Sequence, residues 1–215
     1  MTPAAALLKW YDAERRSLPW RATRDPYRIW ISEIMLQQTR VQTVIPYYES
    51  FMTRFPTVED LAAAPLEEVL ALWSGLGYYR RARLMHEAAK RLAATGFPAR
   101  SSALEKLPGI GPYTAAAVAS MAFGEAVPVL DGNVERVLCR RLALDRDPRR
   151  SAGRRLLLAA TARLLDSKRP GDSNQALMDL GATICRPLTV ARPPGSPVPA
   201  PRSPPAGGTT SSSAC

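Results

Sequence analysis

SALEKLPGIGPYTAAAVASMAF, residues 102–123, reads as a short helix, a tight hairpin and a second helix. The hairpin is Leu107-Pro108-Gly109-Ile110-Gly111. It parts the helix Ser102–Lys106, whose Ser102 and Glu105 have capping-box spacing, from the apolar run Tyr113–Phe123. Gly109 and Gly111 permit positive φ and let a partner approach the backbone. The helix that follows offers unpaired N–H groups and the positive end of its dipole. Such a turn suits a phosphate of a nucleic-acid backbone, although the same letters also suit a plain interhelical turn.

Outward from the hairpin the pattern stays helical, with short Pro and Gly turns and no alternating β-branched run, so the fold class is all-α. Asp25-Pro26 opens a segment running through PYRIWISEIMLQQTRV, and Thr57 and Pro65 open the next two helices. Ala82, Met85, Ala89 and Leu92 make one apolar stripe that stops at Gly96. Val134, Val137, Leu138 and Leu142 make another, and a last helix runs from Asn174 to Cys185. After Cys185 the composition turns abruptly to proline, serine and arginine without acids or aromatics, so residues 186–215 are expected to be a disordered tail.

The 215 residues suffice for one or two domains. The chain carries 29 Lys+Arg against 19 Asp+Glu, a net +10, which favours a polyanionic partner, nucleic acid before membrane surface. No stretch approaches the roughly 20 apolar residues of a membrane span. The single histidine, His86, excludes multi-histidine metal sites and any His-dependent relay elsewhere. Its setting, LMHEAAK, reads as a helix surface. Three widely spaced cysteines, Cys139, Cys185 and Cys215, and the lack of an apolar leader point to a reduced, intracellular, soluble protein.

LPGIGPYTA is one of several motifs that look alike as a set. LPWR at 18–21, SEIMLQQTRV at 32–41, GLGYYRRAR at 75–83, VLDGNVERVL at 129–138 and NQALMDLGATIC at 174–185 join it. Together they resemble the adenine DNA glycosylases of the MutY type, within the helix-hairpin-helix (endonuclease III) superfamily. The resemblance implies two helical lobes. One is a six-helix barrel over residues 18–125 with the hairpin, and the other combines residues 1–17 with 126–185. The active site would lie between them, with Glu33 and Asp131 facing across the cleft. It further implies a monomeric base excision repair enzyme of the bacterial cytoplasm and nucleoid. Its substrate would be duplex DNA carrying adenine mispaired with 8-oxoguanine or guanine.

The chemistry calls for a proton for the departing base and a negative charge for the cationic sugar, which two carboxylates can supply. By its place in the motif Glu33 resembles the acid. A glutamate that donates a proton near neutrality needs a desolvated pocket, and Trp30, Ile31, Ile34 and Met35 could furnish one. Asp131 resembles the carboxylate that stabilises the sugar, and it is equally placed to cap a helix. Asn133 would orient both acids. Tyr113 stands where bifunctional relatives carry a catalytic lysine, so no Schiff-base route to strand cleavage is expected.

Gln37, Gln38, Thr39 and Tyr78 match intercalating and base-contacting positions, and Arg16, Leu18, Trp20 and Arg21 match the adenine pocket. Trp20 and Tyr78 read equally as core aromatics. Arg80, Arg81, Arg83 and the Gly109–Gly111 hairpin would hold phosphates. The family's [4Fe–4S] cluster uses four cysteines. Cys185 stands at the first of these, the other three are missing, and so is the C-terminal Nudix-like domain. The break after Cys185 looks like truncation or a shifted reading frame. An endonuclease III-like glycosylase/lyase and a catalytically silent DNA-binding module are the competing readings.

Overall fold

The computed structural model describes residues 2–187, which form eleven α-helices and a 3-10 turn, Pro19–Arg21, with no strand among them. The helices are α1 (Pro3–Glu14), α2 (Pro26–Leu36), α3 (Val41–Arg54), α4 (Val58–Ala63), α5 (Leu66–Leu72) and α6 (Arg80–Thr95). They continue with α7 (Ser101–Leu104), α8 (Pro112–Phe123), α9 (Gly132–Arg141), α10 (Ser151–Ala162) and α11 (Pro170–Thr183). The tail expected over 186–215, Cys215 included, lies outside the described residues except for Arg186 and Pro187. Among the described residues no helix is long and apolar enough to cross a membrane.

Buried side chains gather in two clusters. The larger takes residues from Leu18 to Ala119 and centres on Trp30, Phe51, Phe55 and Trp73. The smaller joins Val129, Val134, Leu138, Leu157 and Leu177. Helix α8 belongs to both: Ala115, Val118 and Ala119 face the first, and Ala116 and Ala117 face the second. A helix apolar on every side has to be buried on every side, and small alanines let neighbours approach it closely. Its first turn, with Tyr113, therefore starts where the two clusters meet. Helix α2 packs on α8 from the first cluster, and α11 packs on α8, α9 and α1.

Several local expectations need correction. The segment opened by Asp25 is two helices: α2 ends at Leu36, Gln38 takes φ 60°, and α3 restarts at Val41. Ser102 and Glu105 form no capping box. Helix α7 starts at Ser101, whose N–H is met by Glu125 Oε2 at 2.7 Å, and Glu105 sits at its C-terminal end. A capping box is found instead at Thr57 and Asp60. The last helix begins four residues before Asn174, at Pro170, a first-turn position that tolerates proline. Leu142 is exposed, beyond the end of its stripe. His86 is not on the surface: it is buried, Nε2 lies 3.0 Å from the Ala64 carbonyl, and burial holds its pKa low.

Candidate active site

Where the two clusters meet, a cleft of about 800 Å³ opens. Glu33 comes to it from the middle of α2. Trp30, Ile31, Ile34 and Met35 of the same helix are buried, and Glu33 itself is only 5% exposed. Burial pushes its carboxyl up to about 7. The hydrogen bond from Tyr113 pulls the other way, the negative charge of Asp131 adds to the rise, and Arg21 opposes it. Tyr113, in the first turn of α8, donates its hydroxyl to Glu33 Oε2 at 2.8 Å. Burial first, then the charge of Glu33, keeps that hydroxyl protonated far above its ordinary range.

Asp131 is the N-cap of α9. Its Oδ1 accepts from the Val134 N–H at 2.7 Å, and its Oδ2 accepts from Asn133 Nδ2 at 2.8 Å. Capping and lining the cleft are thus compatible duties of one side chain. Asn133 was expected to orient both acids, but of the two it bonds only Asp131. Its Oδ1 accepts from Arg136 Nη2 at 2.8 Å, and the partner of Glu33 is Tyr113. Arg136 continues the chain by donating to the carbonyls of Gly181 and Cys185, both at 2.7 Å. Helix α11 comes this close because residue 181 is glycine: a Cβ there would stand 2.7 Å from Asn133.

Arg16, Leu18, Trp20 and Arg21 also line the cleft, with Gln37, Gln38 and Thr39 at its rim. Leu18 and Trp20 are buried, and Trp20 stacks edge-on against Tyr48 at 5.2 Å. Both arginines converge on Asp179 of α11. Arg16 Nε lies 2.6 Å from Oδ1 and Arg21 Nη2 2.8 Å from it, while Arg21 Nη1 meets Oδ2. Asp179 is fully buried. Burial alone would raise its pKa, but the two guanidiniums hold it below the ordinary carboxylate range. Asp179 was not among the expected site residues. The signal for it was an acid set among the apolar residues of ALMDLGA, where a charge needs buried partners.

Tyr78 and Gly109 line a second, smaller groove of about 260 Å³ with Gln37, Gln38, Arg80 and Arg81. Tyr78 is not a core aromatic: it is 65% exposed. In the hairpin only Gly109 takes positive φ, +72°, and a Cβ there would stand 2.8 Å from Leu84 Cβ. Gly111, the N-cap of α8, has φ −86° and open space around it. Arg81 is not a free phosphate-holding side chain, because its guanidinium is spent on backbone carbonyls; Arg80 and Arg83 are exposed.

The residues present do not fit a four-cysteine cluster. Cys139 and Cys185 are free thiols, and among the described residues no three His, Cys, Asp or Glu side chains come together to hold a metal. Cys185 Sγ instead accepts from Arg140 Nη1 at 3.1 Å.

Residues 31–162 match the HhH-GPD superfamily of base excision DNA repair proteins. The chain is 49% identical to the adenine DNA glycosylase of Homo sapiens over 85% of its own length and 36% of that protein's. It is 48% identical to the Arabidopsis thaliana adenine DNA glycosylase (87% and 34%), and 44% identical to one from Buchnera aphidicola (83% and 52%). It thus spans between a third and about half of these curated relatives. Among solved structures, a thermostable thymine-DNA glycosylase superposes with TM-score 0.77 at 31% identity, covering 86% of this chain and 87% of that one. An endonuclease III–DNA complex superposes at 0.69 and 23% identity, covering 86% and 88%, a likeness of fold.

Proposed function

The chain belongs to the HhH-GPD superfamily of base excision DNA repair proteins, and from that premise we propose that it hydrolyses the N-glycosidic bond of adenine mispaired with 8-oxoguanine or guanine in duplex DNA. The observation that carries this reading is Glu33: a buried carboxyl raised to about 7, bonded by Tyr113 and neighboured by Asp131. A group with that pKa is a competent proton donor at neutral pH. Glu33 protonates the departing adenine as the bond to the sugar breaks. Asp131, with its second oxygen held by Asn133, stabilises the positive charge on the sugar. Water then adds at the sugar carbon and passes its proton to the Glu33 carboxylate, which restores the acid and leaves an abasic site. Tyr113 offers a hydroxyl where a Schiff base needs an amine, so the strand stays intact.

The adenine has to leave the stack to reach Glu33, at a cost of a few kcal/mol. Gln38 and Tyr78 would wedge the duplex, with Gln37 and Thr39 beside them. Arg16, Leu18, Trp20 and Arg21 would enclose the base. Gly109, Gly111 and the exposed Arg80 and Arg83 would hold phosphates. We read the two buried clusters as the two lobes, 18–125 and 1–17 with 126–185. One chain supplies every group named, which supports action as a monomer, and duplex DNA as partner would put it at the bacterial nucleoid. No step uses a [4Fe–4S] cluster.

The deciding experiment is single-turnover incubation with a duplex carrying adenine opposite 8-oxoguanine, with iron determined on the same sample. Adenine release without strand cleavage is expected, and iron-free protein should retain it. Release of a pyrimidine lesion with nicking, from a second duplex that carries one, would favour the lyase reading, and tight binding of both duplexes without release the silent module.

A further inference from the structure

Two non-glycine residues at the smaller groove hold the left-handed conformation, Gln38 at φ 60° and Tyr78 at φ 50°. Both are exposed, and they stand on separate loops, one after α2 and one before α6. Side chains keep such φ values only where their surroundings over-determine them. The surroundings here converge on Arg81, in the first turn of α6. Its Nη1 donates to the carbonyls of Ile34 at 2.9 Å and Met35 at 3.2 Å, and also to that of Gln37. Its Nη2 donates to the carbonyls of Leu76 at 3.1 Å and Gly77 at 3.2 Å. The same guanidinium lies 5.4 Å from the Trp73 ring centre and 5.5 Å from that of Tyr78.

The first set are terminal carbonyls of α2 and its cap, which lack their i+4 helical partners, although that of Ile34 also accepts the Gln37 N–H at 3.4 Å, and whose partial negative charge attracts a cation. The second set belongs to the loop that carries Tyr78. One planar fork therefore joins the end of α2 to the 75–79 loop and supports the Tyr78 ring on its face. A lysine has the charge without the fork and cannot span both sets.

We propose that Arg81 is a positioning residue for base extrusion: it fixes Gln38 and Tyr78 relative to each other, so that they enter the duplex as one wedge. The proposal rests on the excision reading above and gives Arg81 no contact with the base. A slack wedge leaves the extruded state poorly held, and a misplacement of about 1 Å in such a site costs on the order of 10²-fold in rate.

The test uses the full chain and a duplex with 2-aminopurine beside the mispaired adenine, whose fluorescence rises when the neighbouring base leaves the stack. Arg81→Lys and Arg81→Gln are expected to bind the duplex, to lose the fluorescence rise, and to release adenine on the order of 10- to 100-fold more slowly. Release from a substrate whose adenine already lies in an unpaired bubble should stay near wild type, because no wedge is needed there. A merely structural role would slow both substrates alike. Gln38→Ala and Tyr78→Ala leave the backbone acceptors of Arg81 in place. They should likewise lose the fluorescence rise at unchanged thermal stability, so a retained rise in either overturns the proposal even if the Arg81 variants fail to fold. Arg81 variants that keep the fluorescence rise overturn it as well. A wild-type fluorescence rise without adenine release sinks the excision reading while the same signal still judges Arg81; neither signal sinks both.

Discussion

Glu33 shows how much one buried carboxyl can link. Its ordinary value of 4.5 is raised to about 7 in the fold. Between those pH values the folded chain holds a proton that the unfolded chain has shed, so this group's contribution to stability is complete below about pH 4.5 and is lost as pH rises through 7. Glu33→Gln removes the titration. The variant should match the wild type in urea unfolding at pH 4.5 and exceed it at pH 8 by up to about 3 kcal/mol. An equal gap at both pH values would mean that the carboxyl is not desolvated. The same variant should release adenine roughly 10²- to 10⁴-fold more slowly while still binding duplex. The wild-type single-turnover rate should be level below pH 7 and fall above it as the acid empties. The buried apolar run of α2 that carries Glu33 was legible in the sequence. Its bond to Tyr113, across 80 positions of sequence, was not.

At the scale of elements, the hairpin joins two glycines that do different work. Gly109 has φ +72° and no room beside Leu84, so Gly109→Ala should cost about 1–3 kcal/mol of stability in thermal melts. Gly111 has ordinary φ and open space around it. Gly111→Ala should leave stability within about 0.5 kcal/mol and, on the proposed phosphate contact of the hairpin, still weaken duplex binding by crowding the approach to its backbone. Fluorescence anisotropy titrations separate these effects, and wild-type affinity in Gly111→Ala would remove the hairpin from the interface. The helices themselves were legible wherever an apolar stripe ran long, as in Ala82, Met85, Ala89 and Leu92. The break at Gln37–Gln38 was not, because nothing in LQQTRV forbids a continuing helix. At that end Arg81, from another element, donates to the terminal carbonyls of α2.

At the scale of the whole molecule, Asp179 ties α11 to Arg16 and Arg21 near the other end of the chain. It is fully buried, and Arg21 is nearly so. Asp179→Asn would strand two partly buried cations and should destabilise the chain by roughly 3–5 kcal/mol, read as a lower urea midpoint. A loss below about 1 kcal/mol, as for a surface ion pair, would show that water reaches this site. The sequence by itself determined the all-α class, the hairpin and several of the residues that line the cleft. These rest on local periodicity, on turn chemistry and on motifs read within single segments. Only the tertiary structure decided which groups meet: Tyr113 with Glu33, Asn133 with Asp131 alone, Asp179 with two arginines, and Arg81 with five carbonyls. Most of these contacts join residues far apart in the chain, those of Asn133 with Asp131 and of Arg81 with Leu76 and Gly77 being the local ones, and burial, which sets their strength and the pKa of Glu33, arises only when both clusters close around α8.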